Sequence, residues 1–452
     1  MKHIATLSMA FALCAMSFTC CADKGGNSID EPAEPTPETP AAKVVNATTD
    51  QIIYEANARL YGNTGGLNSL KDQLPELKAM GTDIVWIMPL NTPGEEKSIG
   101  SPYCVKDYDG VDPKLGTKED LISLVETAHG LGMKVILDWV ANHTAWDHPW
   151  TKDHPEWYVR DGQGNIQAPG SWSDVAELNY NSREMRAEMT ASMLRWLEIA
   201  KIDGFRFDNV DGVPGDYWKE AFAALRAAKS DVILLSETSQ ASSFSDGADM
   251  IYGWAFGTEI SKLFNGKSSP AKLIEVMDKE NSRAPEGKAT AYMRYCINHD
   301  IAAEHSVRDL FGSPEGMEAA YAVALFAGST PMFYTSQFCD FTNKVSFFNY
   351  SKADFNSSKM AAIKKLNAAF KQTKDVRQGQ LRNYTVANAL MYEWTFGEQK
   401  LIVVVNLTKD EVSVKMPMAL TGIKITDLLA GTSETTPVAL TLKPYQYCIY
   451  KK

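Results

Sequence analysis

The sequence has little cysteine, with seven residues among 452, and three of these fall within the first 21 positions. The other four are scattered along the chain, at Cys104, Cys296, Cys339 and Cys448. None has the close spacing typical of cysteine metal sites, which excludes a metal centre of that kind. We expect buried free thiols, because these positions predict no disulfide pairing.

Positive charge is scarce relative to negative charge, since 45 Lys and Arg face 56 Asp and Glu and the formal net charge is −11. This balance argues against nucleic acid as a partner. The sequence also lacks internal repeats and coiled-coil heptads, and it predicts no particular oligomeric state. A chain of 452 residues can hold one large globular domain and a second, smaller one.

The apolar run over residues 4–18 is too short to span a membrane as a permanent helix. It follows Lys2 and precedes Cys20 and Cys21, an arrangement that resembles a bacterial lipoprotein signal. We therefore predict a signal peptide over residues 1–21, with Cys20 or Cys21 as the acylated residue. An ordinary cleaved secretion signal is the alternative.

Residues 22–46 are rich in Pro, Glu and Thr and show no apolar periodicity, which predicts an extended linker. Together with an acylated cysteine, this linker predicts an exported protein that is lipid-anchored to the bacterial outer membrane, on its periplasmic or cell-surface face. Contact with the membrane would then occur only through the lipid anchor.

From residue 51 onward, short β-rich runs alternate with helical patterns, which favours parallel strands joined by crossover helices. Eight such runs are present, the number that closes a (β/α)₈ barrel. The predicted strands are 52–58, 83–88, 134–139, 204–210, 232–236, 250–254, 290–297 and 331–334. The predicted helices between them include 69–80, 118–131, 183–200 and 218–229, each with apolar residues three and four positions apart.

Two regions depart from this alternation of strands and helices. Residues 141–180 hold four Trp and two Tyr among Asp, Gly and Pro without a long helix, which predicts a small domain inserted after strand 3. Residues 376–452 read as short alternating strands, which predict a C-terminal antiparallel β-sandwich. The fold class is therefore α/β, and the barrel is predicted over residues 47–375, including the insertion.

Arg206 and Asp208 lie two positions apart at the end of predicted strand 4, so they project from the same face. A guanidinium beside a carboxylate stabilises its charge and fixes its rotamer. Other polar residues follow strands 3, 5 and 7, and the carboxyl ends of barrel strands share one rim. These residues are Asp138, Asn142, His143, Glu237, His299 and Asp300.

Cleaving a glycosidic bond with retention needs one carboxylate as nucleophile and one protonated carboxylic acid. Asp208 beside Arg206 suits the first role. Glu237 has no basic neighbour in sequence, and like charges on Asp208 and Asp300 should raise its pKa, which suits the acid/base role. His143 and His299 can hydrogen-bond sugar hydroxyls.

Four short motifs occur in order: D-W-V-A-N-H at 138–143, G-F-R-F-D at 204–208, the strand ending in Glu237, and N-H-D at 298–300. With them the chain resembles the α-amylase superfamily, glycoside hydrolase family 13, and its lipoprotein-type bacterial members. The resemblance implies a retaining attack on α-linked glucose. It places the nucleophile, the acid/base and the transition-state stabiliser at Asp208, Glu237 and Asp300.

The resemblance also implies that Tyr103 stacks under the glucose being cleaved, and that Asn142 is one ligand of a structural Ca²⁺; no cofactor is required for the chemistry. The chain departs from the family at the rim. Asp211 and Gly212 replace a Lys and a His after the nucleophile, and Ser101 and Ser336 replace a His and a Gly. These changes leave the linkage preference open.

The leading prediction is hydrolysis of α-1,4 bonds in starch, maltodextrins or related α-glucans, which would be the partner of the site. An α-1,6-acting glucosidase or pullulanase and a transglycosylase are the alternatives within the superfamily, since water or a sugar can intercept the same intermediate. A non-catalytic starch-binding protein is the alternative from another class. It is disfavoured because every catalytic residue type is present.

Overall fold

The computed structural model describes residues 50–285, 291–338, 343–355, 357–386 and 388–452. The predicted signal segment 1–21, its acylation site and the linker 22–46 lie outside these residues, as does Cys339. No helix of the described part is long and apolar enough to cross a membrane. Cys104, Cys296 and Cys448 are free and buried, as expected.

Eight parallel strands form a closed barrel in which each strand pairs with its neighbours in sequence. The circle closes between the first and eighth strands, where Ile53 pairs with Met332. The fold class predicted from the sequence is therefore confirmed. The strands are β1 Ile53–Ala56, β2 Ile84–Ile87, β3 Lys134–Val140, β4 Gly204–Asp208, β5 Ile233–Ser236, β6 Met250–Tyr252, β7 Tyr292–Arg294 and β8 Thr330–Tyr334.

Helices surround the barrel, and capping residues mark where they begin and end. The second begins with a capping box between Thr117 and Asp120, and Gly132, at φ +69°, follows its end. The helices are α1 Gly66–Ala79, α2 Lys118–Gly130, α3 Trp150–Asp153, α4 Arg183–Ile199, α5 Gly215–Ala228, α6 Ser242–Asp246, α7 Trp254–Phe264, α8 Pro270–Arg283, α9 His299–Glu304, α10 Val307–Phe311, α11 Pro314–Phe326 and α12 Ser357–Lys371.

The excursion between β3 and α4 contains a short hairpin, His143–Ala145 with Val175–Glu177. Trp157 and Tyr158 are buried, and they pack into the main barrel core rather than into a core of their own. The excursion is thereby held against the carboxyl end of β3.

The C-terminal region is antiparallel. Its strands are β9 Gln380–Asn383, β10 Ala389–Phe396, β11 Gln399–Asn406, β12 Val412–Lys415, β13 Lys424–Asp427, β14 Thr432–Thr435, β15 Ala439–Leu442 and β16 Tyr447–Lys451. They form a six-stranded sheet in the order β9-β10-β11-β16-β13-β14 and a two-stranded sheet of β12 and β15.

Strand β10 is buried on both faces of the sheet, and its side chains alternate between the two faces. Leu390, Tyr392 and Trp394 belong to the same core as the barrel. Met391, on the opposite face, belongs to a separate core within the C-terminal region. The indole of Trp394 also donates a hydrogen bond to the carbonyl of Phe326 at the end of α11, at 2.9 Å.

Candidate active site

The polar residues identified in the sequence lie together at the carboxyl ends of the barrel strands. The register of the parallel strands explains this, because Asp138 on β3 is level with Arg206 on β4, and Phe207 is level with Ser236, the residue before Glu237. His299 and Asp300 follow β7 and open α9. The rim therefore brings the predicted site residues together at one end of the barrel.

Arg206 is the centre of this arrangement and is completely buried. Its Nη1 donates to Asp138 Oδ1 at 2.8 Å and to Asp208 Oδ1 at 2.9 Å. Its Nη2 lies 2.9 Å from Glu237 Oε1, and its Nε donates to the Tyr252 hydroxyl at 2.9 Å. One guanidinium thus contacts three carboxyl groups: it hydrogen-bonds Asp138 and Asp208, and it lies at ion-pair distance from Glu237.

The pKa of Glu237 is raised to about 8, first by burial and then by the negative charges of Asp208 and Asp300. Arg206 opposes this shift. The expected direction of the shift is therefore found, but the reasoning behind it needs correction. Burial is the main cause, and Glu237, which has no basic neighbour in sequence, has one in space. A carboxyl group with this pKa is protonated at neutral pH, as a general acid must be.

The backbone N–H of Asn209 donates to the other oxygen of Glu237, Oε2, at 2.7 Å. Asn209 has left-handed backbone angles, φ 43° and ψ 53°, which Asn tolerates better than most residues. This conformation directly follows Asp208. The strained residue thus links the nucleophile's strand to the acid/base.

Asp138 is buried beneath the two other carboxyl groups. Besides Arg206, it accepts hydrogen bonds from the indole of Trp86 at 3.1 Å and from the hydroxyl of Tyr103 at 3.2 Å. Burial raises its pKa to about 6, while Arg206 opposes the rise. Asp138 is therefore ionised near neutral pH and anchors both the guanidinium and the aromatic ring.

Tyr103 is half-buried, and one face of its ring stacks on His299 with the centroids 5.3 Å apart. Phe347 packs edge-on against the same ring at 5.8 Å. The ring lies at the site, as predicted, and its proposed stacking on glucose stays a prediction.

His299 is buried and bonded on both ring nitrogens. Its Nδ1 lies 2.5 Å from Glu55 Oε1, and its Nε2 lies 2.7 Å from the hydroxyl of Tyr103 and 3.3 Å from Asp300 Oδ1. Burial alone would lower the pKa of His299, but the charges of Asp300 and Glu55 raise it to about 9. Asp300 is the most open of the three predicted catalytic carboxyl groups, with 45% of its side chain exposed.

Glu55 was missed by the sequence reasoning. It lies on β1 within a strand buried at every position, and its side chain is fully buried. A single acid in the otherwise apolar run I-Y-E-A is the signal that could have identified it.

His143 is buried beside the site, edge-on to Trp172 at 5.7 Å, and burial lowers its pKa. The amide of Asn142 lies 3.2 Å from His143 Nδ1, and the backbone of Gly212 closely approaches Asn142 Oδ1. The described residues contain no group of three or more His, Cys, Asp or Glu placed to hold a metal ion. Ca²⁺ takes roughly six to eight oxygen ligands, with backbone and amide carbonyls among them, and the assignment of Asn142 as one of these ligands stays a prediction.

Comparisons with known proteins agree with this architecture. A maltogenic alpha-amylase, AmyB from Thermotoga neapolitana, has a similar structure, with a TM-score of 0.79 and 28% identity over 89% of this chain and 98% of that one. Alpha-amylase MalA of Haloarcula japonica is 24% identical over 401 residues, or 84% of this chain and 58% of that protein. The alpha-1,4-glucan:maltose-1-phosphate maltosyltransferase of Arcanobacterium haemolyticum is 31% identical over 198 residues, or 38% and 28%.

In its barrel and its C-terminal sheet the chain is therefore similar to known alpha-amylases. Residues 43–255 match the alpha-amylase catalytic domain. The chain spans little more than half of the haloarchaeal relative, and less of the maltosyltransferase.

Proposed function

We propose that the protein is a retaining hydrolase of α-1,4-glucosidic bonds in starch, maltodextrins or related α-glucans. The observation that carries the proposal is the sharing of one guanidinium by Asp208 and Glu237, each 2.9 Å from a different Nη atom of Arg206. Two carboxyl groups bridged in this way fit the separation of about 5–5.5 Å used by retaining enzymes better than the wider spacing of inverting ones.

In the proposed reaction, a carboxylate oxygen of Asp208 attacks the anomeric carbon while Glu237 gives its proton to the departing glycosidic oxygen. The bond to the leaving sugar breaks and a glycosyl ester with Asp208 forms. The ionised Glu237 then takes a proton from water, which attacks the same carbon and releases Asp208. Asp300 and His299 line the site for the sugar hydroxyls, where their hydrogen bonds would strengthen in the transition state.

A cleft of about 870 Å³ beside the site supports a substrate longer than one sugar. Its lining comes from the loops that follow β1, β2 and β8, and it includes Arg59, Tyr350 and Phe348. Phe348 stacks on Phe347, which contacts the ring of Tyr103. Aromatic rings with neighbouring polar groups suit the faces and hydroxyls of glucosyl units.

Transfer to a sugar acceptor is the second candidate reaction, because a similar protein is a maltosyltransferase and the covalent intermediate is common to both outcomes. Hydrolysis of α-1,6 bonds is the third, since Asp211 and Gly212 alter the rim. Export with a lipid anchor belongs to the same proposal, and it rests on the N-terminal sequence alone.

The deciding experiment compares the wild type with Asp208→Asn and Glu237→Gln on amylose, pullulan, cyclodextrin and a maltooligosaccharide with an activated phenolate leaving group. Both variants should lose reducing-sugar release from amylose, with a fall of about 10²–10⁴-fold for the acid/base change. Only Glu237→Gln should keep glycosyl-enzyme formation from the activated substrate, since that leaving group needs no proton. Chromatography of the products separates hydrolysis from transfer.

NMR of the first product settles the stereochemistry, because a retaining enzyme releases the α-anomer. Release of the β-anomer, or wild-type activity in both variants, would refute the assignment of Asp208 and Glu237. A wild type that is folded but inactive on all four substrates would refute the proposed function itself.

A further inference from the structure

The proton arrangement around His299 is set by its neighbours. Nδ1 faces Glu55 Oε1 at 2.5 Å. Burial raises the pKa of Glu55, and the charge of His299 and the hydrogen bond with it oppose that rise. Once ionised beside His299, the carboxylate can only accept a hydrogen bond. Nε2 faces the oxygen of Tyr103 at 2.7 Å, while the hydroxyl of Tyr103 donates to Asp138 at 3.2 Å. Either atom of the contact between Nε2 and Tyr103 can be the donor. When the hydroxyl gives its single proton to Asp138, its oxygen accepts from Nε2, and both ring nitrogens then donate.

The surrounding charges favour the same state. Asp300, on the helix that begins at His299, lies 3.3 Å from Nε2. Asp138 on β3 adds a further negative charge, and Arg206 on β4 opposes it. Glu55 lies opposite these groups, fully buried on β1, and its Oε2 has no hydrogen-bond partner within the described part of the chain. A buried carboxyl group with one partner is a costly arrangement unless that partner is charged.

We propose that Glu55 is a positioning residue that keeps His299 doubly protonated, so that Nε2 donates toward Tyr103, Asp300 and a sugar hydroxyl bound at the site. The effect on catalysis rests on the proposed function. The protonation of both nitrogens of the imidazole is a property of the free enzyme and does not depend on that function. Glu55 itself touches no substrate in this arrangement and acts through His299.

The test uses the variant Glu55→Gln in the full-length chain, which removes the negative charge of Glu55 and keeps the shape of the side chain. The nitrogen NMR shifts of the His299 ring, assigned by their absence in His299→Gln, are followed against pH. In the wild type the ring should stay doubly protonated up to a pH near 9, in line with its raised pKa. In Glu55→Gln it should lose its second proton roughly 1–3 pH units lower. An unchanged titration overturns the proposal.

The kinetic arm uses the ratio of kcat/KM for Glu55→Gln to that for the wild type, measured at several pH values. Taking the ratio cancels the titration of Glu237, which both proteins share. The ratio should be near one at about pH 5. By pH 8 it should fall by about twofold for a shift of one pH unit and by about a hundredfold for a shift of three, because the two proteins then differ in the protonated fraction of His299. A ratio independent of pH overturns the catalytic consequence.

A double-variant cycle separates an effect of Glu55 that acts through His299 from a general disturbance of the structure. In a His299→Gln background, Glu55→Gln should cause no further loss of kcat/KM, because Glu55 acts only through His299. Glu393→Gln, which removes a fully buried carboxylate from the C-terminal sheet, serves as the matched control and should leave the pH profile unchanged. A further loss in the double variant contradicts the inference, whereas a wild type inactive on every glucan with the expected NMR titration contradicts only the proposed function.

Discussion

Replacing Arg206 by Lys keeps a positive charge but removes the fork that reaches two carboxyl groups at once. In the structure Nη1 lies 2.9 Å from Asp208 and Nη2 lies 2.9 Å from Glu237, and the side chain is fully buried. A lysine ammonium is a single point on a flexible stem and cannot occupy both positions. We therefore expect one carboxyl group to lose its charged partner and to move.

The size of the effect follows from the bonds that are lost. Hydrogen bonds to charged groups contribute about 1.5–3 kcal/mol each. Lysine would lose one carboxylate contact and the bond from Nε to the Tyr252 hydroxyl, so the free energy of unfolding should fall by roughly 3–6 kcal/mol. A shift of about 1 Å in a reacting group can cost 10²-fold in rate, so kcat on amylose should fall by about that factor or more.

The assay pairs urea unfolding with kcat per folded molecule, and Arg294→Lys is the control. Arg294 is also fully buried and ion-paired, with Glu280 at 2.9 Å, but it lies outside the site. Its replacement should cost similar stability and leave kcat unchanged. A wild-type kcat in Arg206→Lys, or an equal loss of kcat in both variants, would refute the view that Arg206 positions the two carboxyl groups.

Two further predictions concern Glu237. Because burial raises its pKa to about 8 and the acid role needs the proton, kcat/KM on amylose should fall as the pH rises through that value. A profile that stays flat to about pH 10 would contradict the role. Asn209→Val should destabilise the fold by about 1–3 kcal/mol and lower kcat, since a β-branched residue resists φ 43° and would move the N–H that holds Glu237. Asn209→Gly should retain kcat; equal loss in both variants would point to the side chain instead.

The barrel could be predicted because each strand is a short apolar run between turn residues. The eight predicted runs contain the cores of all eight observed strands, with errors at the ends. The seventh was predicted over 290–297 but is only Tyr292–Arg294, since the buried residues after it lead to the helix cap at Asn298. An apolar pattern in the sequence indicates that residues are buried. Residues can remain buried beyond the last hydrogen bond that pairs the strand with its neighbours.

In the site, too, some contacts could be predicted from the sequence and others could not. The two-residue spacing of Arg206 and Asp208 fixes their common face, so their contact follows from strand geometry alone. The contact of Arg206 with Glu237 does not follow, because it depends on how far strands β4 and β5 are staggered. Glu55 lies more than two hundred residues from His299, and only closure of the barrel between β1 and β8 brings them together.

The C-terminal sheet has a consequence for how the chain can be divided. Leu390, Tyr392 and Trp394 complete the packing of the helices outside the barrel, and Trp394 caps the carbonyl of Phe326. A protein truncated near residue 376 would expose this apolar surface to water. It would also leave the carbonyl of Phe326 without the hydrogen bond from Trp394. We therefore expect the sheet and the barrel to unfold as a single cooperative unit, and a shortened chain to associate through the exposed surface of α11 rather than persist as an independent monomer.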